Sequence, residues 1–181
     1  LLLRNAEGEL DCDIAMVISN HRKAEATAEY FRIPFHHVPV SKETKTEAEK
    51  HQIALLTEAG VDVVILARYM QILTPAFVSR FEHRIINIHH SFLPAFAGAK
   101  PYHKAFARGV KIIGATSHYV TEDLDEGPII EQDVARISHR YSIPDLIQTG
   151  RNLERVVLSR AVRLHLENRI LVFRNKTVVF D

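Results

Sequence analysis

The sequence predicts an α/β protein built on a doubly wound, mostly parallel sheet of the Rossmann kind, finished by a long C-terminal helix and a β-hairpin. Three features predict it. Short, nearly continuous apolar runs at 14–18, 62–67 and 84–88 read as strands covered on both faces. Between them lie stretches with apolar residues at helical spacing, so strand and helix alternate as in βαβ units, which right-handed crossovers wind into one sheet. After residue 142 comes one unbroken helical stretch, then two short strand-like runs around Asn175. No linker or internal repeat divides the 181 residues, which suffice to bury a full core, so a single domain is expected.

The elements follow in order. Residues 1–4 form an apolar scrap and 5–9 a turn. The strand at 14–18 stops at Ser19-Asn20, where Asn20 is placed to cap a helix over 21–31 that carries Ala24, Ala28 and Phe31 on one side. Pro34 biases Ile33 toward extended structure, and 35–40 reads as a second strand. Residues 41–44 open an amphipathic helix with Ile53, Leu56 and Ala59 along its apolar side and Gly60 as its stop. The run 62–67, the most β-branched in the chain, is expected at the centre of the sheet. Thr74 and Pro75 supply a hydroxyl cap and a first-turn proline for the next helix. The strand at 84–88 ends in polar side chains before Pro94, an irregular loop runs to Pro101, and a helix runs to Gly109. Strands at 112–121 and 129–137 flank the acidic loop 122–128. Ile143-Pro144-Asp145 starts the longest helix, to about residue 168.

Composition excludes several function classes. The sequence is 46% hydrophobic and 25% charged with a net charge of +1, and it carries no block of like charge, so neither a nucleic-acid stripe nor an acidic tail is indicated. Cys12 is the one cysteine, which rules out an intrachain disulfide and a cysteine-based zinc site and suits the reducing cytoplasm. No apolar run approaches the roughly 20 residues of a membrane span. Gly-x-Gly-x-x-Gly and Walker patterns are absent, so no phosphate loop is expected.

The chemistry points to the strand at 84–88. Side chains alternate along a strand, so Asn87 and His89 share a side while Ile86 and Ile88 point into packing. An amide donor and an imidazole are thereby set side by side at a strand tip, where parallel sheets bind ligands, though a histidine capping a strand gives the same pattern. The 11 histidines invite a metal, but the pairs His36-His37 and His89-His90 are expected to face opposite sides, and no His-Glu-x-x-His occurs. No metal site is expected. Ser91 lies in no nucleophile elbow and reads as a turn residue, and Cys12 reads as a small core residue. Asp125 stands before Glu126-Gly127-Pro128, a composition that either holds a carboxylate in place or makes an ordinary solvated loop. His118 either lines a pocket or stacks in the core.

Four segments belong together: Asn-Ile-His-His-Ser-Phe-Leu-Pro at 87–94, Gly-Ala-Lys-Pro-Tyr-His at 98–103, Gly-Ala-Thr-Ser-His-Tyr-Val at 114–120 and Leu-Asp-Glu-Gly-Pro-Ile-Ile at 124–130. They resemble the formyltransferase fold family, nearly end to end. His90, Phe92 and the segments 99–103 and 33–39 resemble its hydrolytic branch, which splits 10-formyltetrahydrofolate into formate and tetrahydrofolate and so feeds purine biosynthesis and balances one-carbon pools. The resemblance implies Asn87 as donor to the oxyanion, His89 as acid-base group and Asp125 as its carboxylate partner. It further implies folate contacts from Met70, Gln71, Ile72 and Leu73 and from the loop ending at Asp125, with His118 beside the substrate. Lys45 is placed to meet the folate tail, or is a solvated helix lysine. The resemblance implies a folate substrate without a cofactor, no nucleic-acid or membrane partner, a homo-oligomer, and a small regulatory domain of the ACT type plus a first strand upstream. The alternatives are formyl transfer to glycinamide ribonucleotide or a related amine, and a noncatalytic folate-binding module.

Overall fold

A computed structural model describes residues 1–94 and 101–180. The chain runs α1 (Leu2–Ala6), β1 (Val17–Ser19), a 3-10 turn at Arg22–Ala24 leading into α2 (Glu25–Tyr30), β2 (Phe35–His37), α3 (Lys45–Glu58) and β3 (Val64–Leu66). It continues with α4 (Pro75–Arg80), β4 (Ile85–His89), α5 (Pro101–Arg108), β5 (Ile112–Tyr119), β6 (Ile129–Arg136), α6 (Ile143–Leu166) and the strands β7 (Ile170–Phe173) and β8 (Lys176–Val179). The α/β architecture with its long final helix and hairpin is the predicted one. Residues 95–100, which include most of the expected irregular loop and part of the motif at 98–103, lie outside the described residues.

The strands β1 and β2 pair in parallel, as do β3 and β4. The strands then reverse: β4 and β5 pair antiparallel, and so do β5 and β6, in the order β3-β4-β5-β6. The run at 62–67 therefore stands first in this ladder rather than at its centre, because β2 pairs with β1 in a ladder of its own.

Alternation along β3 and β4 divides the interior in two. Val63, Ile65, Ile86 and Ile88 face a core completed by Tyr119, Ile130 and the Leu158, Ala161 and Val162 stripe of α6. Val64, Leu66 and Ile85 face a second core with Leu56, Phe77, Val78 and Phe81. Each large side chain fully buried there contributes roughly 1.5–3 kcal/mol. Both faces of the strands are thus covered, which is why these runs lack polar alternation.

Local chemistry sets the helix ends. Thr74 accepts from the Phe77 amide with Pro75 in the first turn, as expected. Gly60 and Gly109 take the left-handed conformation that ends α3 and α5. Asn20 does not cap: the 3-10 turn starts after His21, and Ser19 Oγ accepts from the His21 amide instead. A capping box at Ser142 and Asp145, not anticipated from the sequence, starts α6. The buried side of α3 holds Ala48, Glu49, Gln52 and Leu56, while Ala59 is exposed. Polar residues are tolerated there because Glu49 accepts from the Thr74 amide at 3.0 Å and from the Thr74 hydroxyl. That bond ties α3 to the end of the 68–73 segment.

On α6, Gly150 leaves a notch for Tyr102 of α5, whose hydroxyl donates to Glu154 at 2.9 Å one turn along; a β-carbon on Gly150 would lie 2.0 Å from the Tyr102 oxygen.

Candidate active site

Asn87 and His89 stand on the β4 face away from α6, as alternation predicts. The antiparallel register sets His118 opposite Asn87 and Thr116 opposite His89, so all four side chains share that face. The sequence could not place His118 here, because cross-strand register depends on tertiary pairing. The site accordingly extends across a sheet face and is not confined to a strand tip. Leaving the far end of β5, the chain crosses back over this face and sets Asp125 against His89.

The crossing depends on Gly127. A β-carbon there would lie 1.8 Å from the Tyr119 carbonyl oxygen, so the loop approaches this closely only with glycine. The Tyr119 amide donates to Pro128 O at 2.9 Å and latches the loop down. Asp125 itself has φ 58°, in the left-handed region that Asp and Asn tolerate best among residues with a side chain.

Polar contacts converge at this point. His89 Nδ1 lies 3.1 Å from Asp125 Oδ2. His118 Nε2 lies 3.2 Å from Asn87 Nδ2 and 3.6 Å from Asp125 Oδ1, while His118 Nδ1 is 2.9 Å from Tyr119 O. His89 is only 6% exposed and His118 only 2%, which leaves both rings almost without water to compete for these contacts. Among the described residues, His89 Nε2 has no partner. Burial pulls the His89 pKa below its ordinary value, overriding the opposing Asp125 carboxylate, and His90 and His118 add to the lowering. The Asp125 carboxyl is held below its usual range, first by the His118 ring and then by His89, against the cost of its own partial burial. The result is a neutral imidazole with one nitrogen tied to a carboxylate and the other open, a geometry suited to carrying a proton.

His90 departs from expectation. Its ring stacks on His89, with centroids 4.8 Å apart and planes 20° apart, because β4 ends at His89 and strict alternation ends with it. Behind the pair, buried Thr116 donates to Ser91 O and accepts from the Leu93 amide, and Gln132 donates to Thr116 and to Leu93 O. This network fixes the turn after β4. Beside His90 a cavity of about 120 Å³ is walled largely by apolar side chains, among them Phe92, Tyr102, Ala105 and Val134.

The remaining sequence candidates are more dispersed. Met70 and Ile72 are exposed, Gln71 is half-buried and Leu73 is buried, in the segment that follows β3 on the carboxyl side of the parallel pair. Lys45 is half-buried at the first position of α3, and among the described residues no contact joins it to the Asn87 cluster. No group of three His, Cys, Asp or Glu among the described residues could hold a metal ion, and no described helix is long and apolar enough to cross a membrane.

Residues 1–162 match the family described as Formyl transferase. A formyltetrahydrofolate deformylase of Synechocystis sp. is 60% identical over 180 residues, 99% of this chain and 63% of that protein. A crystal structure of a formyltetrahydrofolate deformylase from Pseudomonas syringae pv. tomato superposes with a TM-score of 0.97 at 57% identity, covering 99% of this chain and 60% of that one. Glycinamide ribonucleotide transformylase 1 from Symbiobacterium toebii superposes at 0.92 with 30% identity, covering 99% of this chain and 86% of that one. The chain thus spans less than two thirds of the deformylases it matches, while the match to Formyl transferase covers both the Asn87 strand and the Asp125 loop. The chain belongs to the formyl transferase family.

Proposed function

We propose that the protein hydrolyses 10-formyltetrahydrofolate to formate and tetrahydrofolate. The observation that carries this reading is the His89 ring, tied through Nδ1 to Asp125 and, among the described residues, unpartnered at a buried Nε2, on the same sheet face as the Asn87 amide. Water, held by His89 Nε2, adds its oxygen to the formyl carbon and gives up a proton to that nitrogen. The carbonyl oxygen becomes an oxyanion that the Asn87 amide stabilises, and a donor of this kind is worth about 10²–10³ in rate. The His89 imidazolium, paired with Asp125, returns the proton to the departing N10 as the C–N bond breaks; positioned proton transfer contributes roughly 10²–10⁴. The products are tetrahydrofolate and formate, with one proton released to solvent.

Hydrolysis is favoured over transfer by the company the chain keeps: 60% identity to a protein named as a deformylase against 30% to one named as a transformylase. Transfer to glycinamide ribonucleotide is the second reading, supported by the close superposition on the latter. In both readings the segment 70–73 and the Asp125 loop hold the folate, Lys45 meets its tail, and no cofactor takes part. The wider proposal is a cytoplasmic homo-oligomer that supplies formate for purine biosynthesis. The test is incubation with 10-formyltetrahydrofolate in water: formate released without an acceptor amine supports the hydrolase, and product formed only with an amine overturns it.

A further inference from the structure

We infer that His118 is a positioning residue whose imidazole fixes which end of the Asn87 amide faces the reacting carbonyl. The inference deepens the proposed reaction and rests on Asn87 being its oxyanion donor.

The two ends of an asparagine side chain are nearly the same size, so packing alone does not orient it. Chemistry must do so. Turned one way, Asn87 presents N–H groups to a developing oxyanion; turned the other way, it presents a carbonyl oxygen that repels it. The orientation follows from a chain of hydrogen bonds that starts at the backbone. The Tyr119 carbonyl only accepts, so His118 Nδ1, 2.9 Å away, carries the proton. In the neutral ring Nε2 is then a bare acceptor. The Asn87 group 3.2 Å from it must therefore be the donating NH₂ end. One N–H is used on His118, and the other is left for the substrate. Asp125 Oδ1 lies farther from the same His118 nitrogen, at 3.6 Å, so the Asn87 contact is the shorter of the two and the one within ordinary hydrogen-bond range.

The orienting group is rigidly held. His118 is 2% exposed, its β5 position is locked by pairing on both sides, and the carbonyl that sets its tautomer is the one Gly127 packs against. This assigns His118 a role different from the substrate contact implied by family resemblance.

The tests use the whole protein. Long-range ¹H–¹⁵N spectra at neutral pH should show His118 as the Nδ1–H tautomer; an Nε2–H tautomer or an imidazolium overturns the inference. His118→Asn keeps a donor for Tyr119 O but has no atom at the Nε2 position, whereas His118→Gln can place an acceptor oxygen near it. One net hydrogen bond orients the amide, so His118→Asn should lower kcat about tenfold with KM within about threefold. His118→Gln should recover most of that loss. In an Asn87→Ala background, His118→Asn should cost less than about twofold more. A rise in KM at unchanged kcat, or losses that multiply in the double variant, overturns the positioning role. If His118→Asn does not fold, His118→Gln decides, since a hundredfold loss in that folded variant is incompatible with the proposal. Failure of the parent reading looks different: the wild type would release no formate without an amine, or Asn87→Ala would keep its full rate.

Discussion

Replacing Asp125 by Asn removes the carboxylate charge while leaving the backbone undisturbed, because Asn tolerates the left-handed φ of 58° as well as Asp does. In the proposed reaction the charge acts when His89 becomes an imidazolium. Two unit charges 3.1 Å apart attract by about 5 kcal/mol at an effective dielectric constant of 20. Asp125 keeps 21% of its side-chain surface in water, so part of that attraction is screened. About 3–4 kcal/mol remains, and kcat should fall about 10²–10³, with KM nearly unchanged. The acid limb of the rate profile should also move to lower pH, because the carboxylate that raises the His89 pKa is gone. Formate release at saturating substrate measures the first effect, and its pH dependence the second. A kcat within tenfold of the parent, in a variant whose circular dichroism spectrum matches the parent's, would refute the electrostatic argument. Stability carries the same signature: Asp125, its folded pKa depressed, contributes stability that is fully present above the ordinary carboxylate pKa and is lost as pH falls through the folded value, so the variant should lack this dependence.

Other perturbations test the frame around the site. Gly127→Ala places a β-carbon 1.8 Å from the Tyr119 oxygen, so the loop must shift; calorimetry should register about 1–3 kcal/mol of lost stability, and formate release should fall as Asp125 leaves His89. His165, whose pKa burial lowers, accepts from the Tyr119 hydroxyl at 2.7 Å, and that phenol, pushed up to about 12, stays a donor throughout the neutral range. The unfolded chain therefore takes the proton first as pH drops below about 6.5, and stability is lost on acidification; His165→Gln should flatten the dependence of Tm on pH between 7 and 5. Thr74→Val removes the α4 cap and a hydroxyl donor to Glu49, which should cost about 2 kcal/mol and lower Tm by about 4–8 °C.

What the sequence made legible was local. Asn87 and His89 share a side because a strand alternates, and Thr74-Pro75 begins a helix because its chemistry suits a first turn; both depend on neighbours a few residues away. The Asp125 loop was recognisable by composition and by resemblance, but its contact with His89 depends on where the chain goes after β5. The same is true of His118, whose place opposite Asn87 follows from an antiparallel register that no periodicity encodes. On α3 the apolar spacing found Leu56, which is buried, but ran on to Ala59, which is exposed, and passed over Glu49 and Gln52, which are buried. Glu49 can be buried because Thr74, a distant residue in sequence, supplies its donors. His89 and His90 were expected on opposite sides, and stack because the strand ends between them.

The notch at Gly150 bears on how this protein can be altered. By helix propensity alone, alanine at an internal helix position should improve on glycine by about 1 kcal/mol. Here the sign reverses, because the missing β-carbon is the space occupied by the Tyr102 ring, which links α6 to α5 and through it to the wall of the cavity beside His90. Stabilising programmes that raise helix propensity position by position would select this substitution and lose both stability and the shape of that wall. Gly150 and Tyr102 should therefore be redesigned as a pair: a side chain can enter at 150 only if the aromatic ring at 102 is displaced or given up with it.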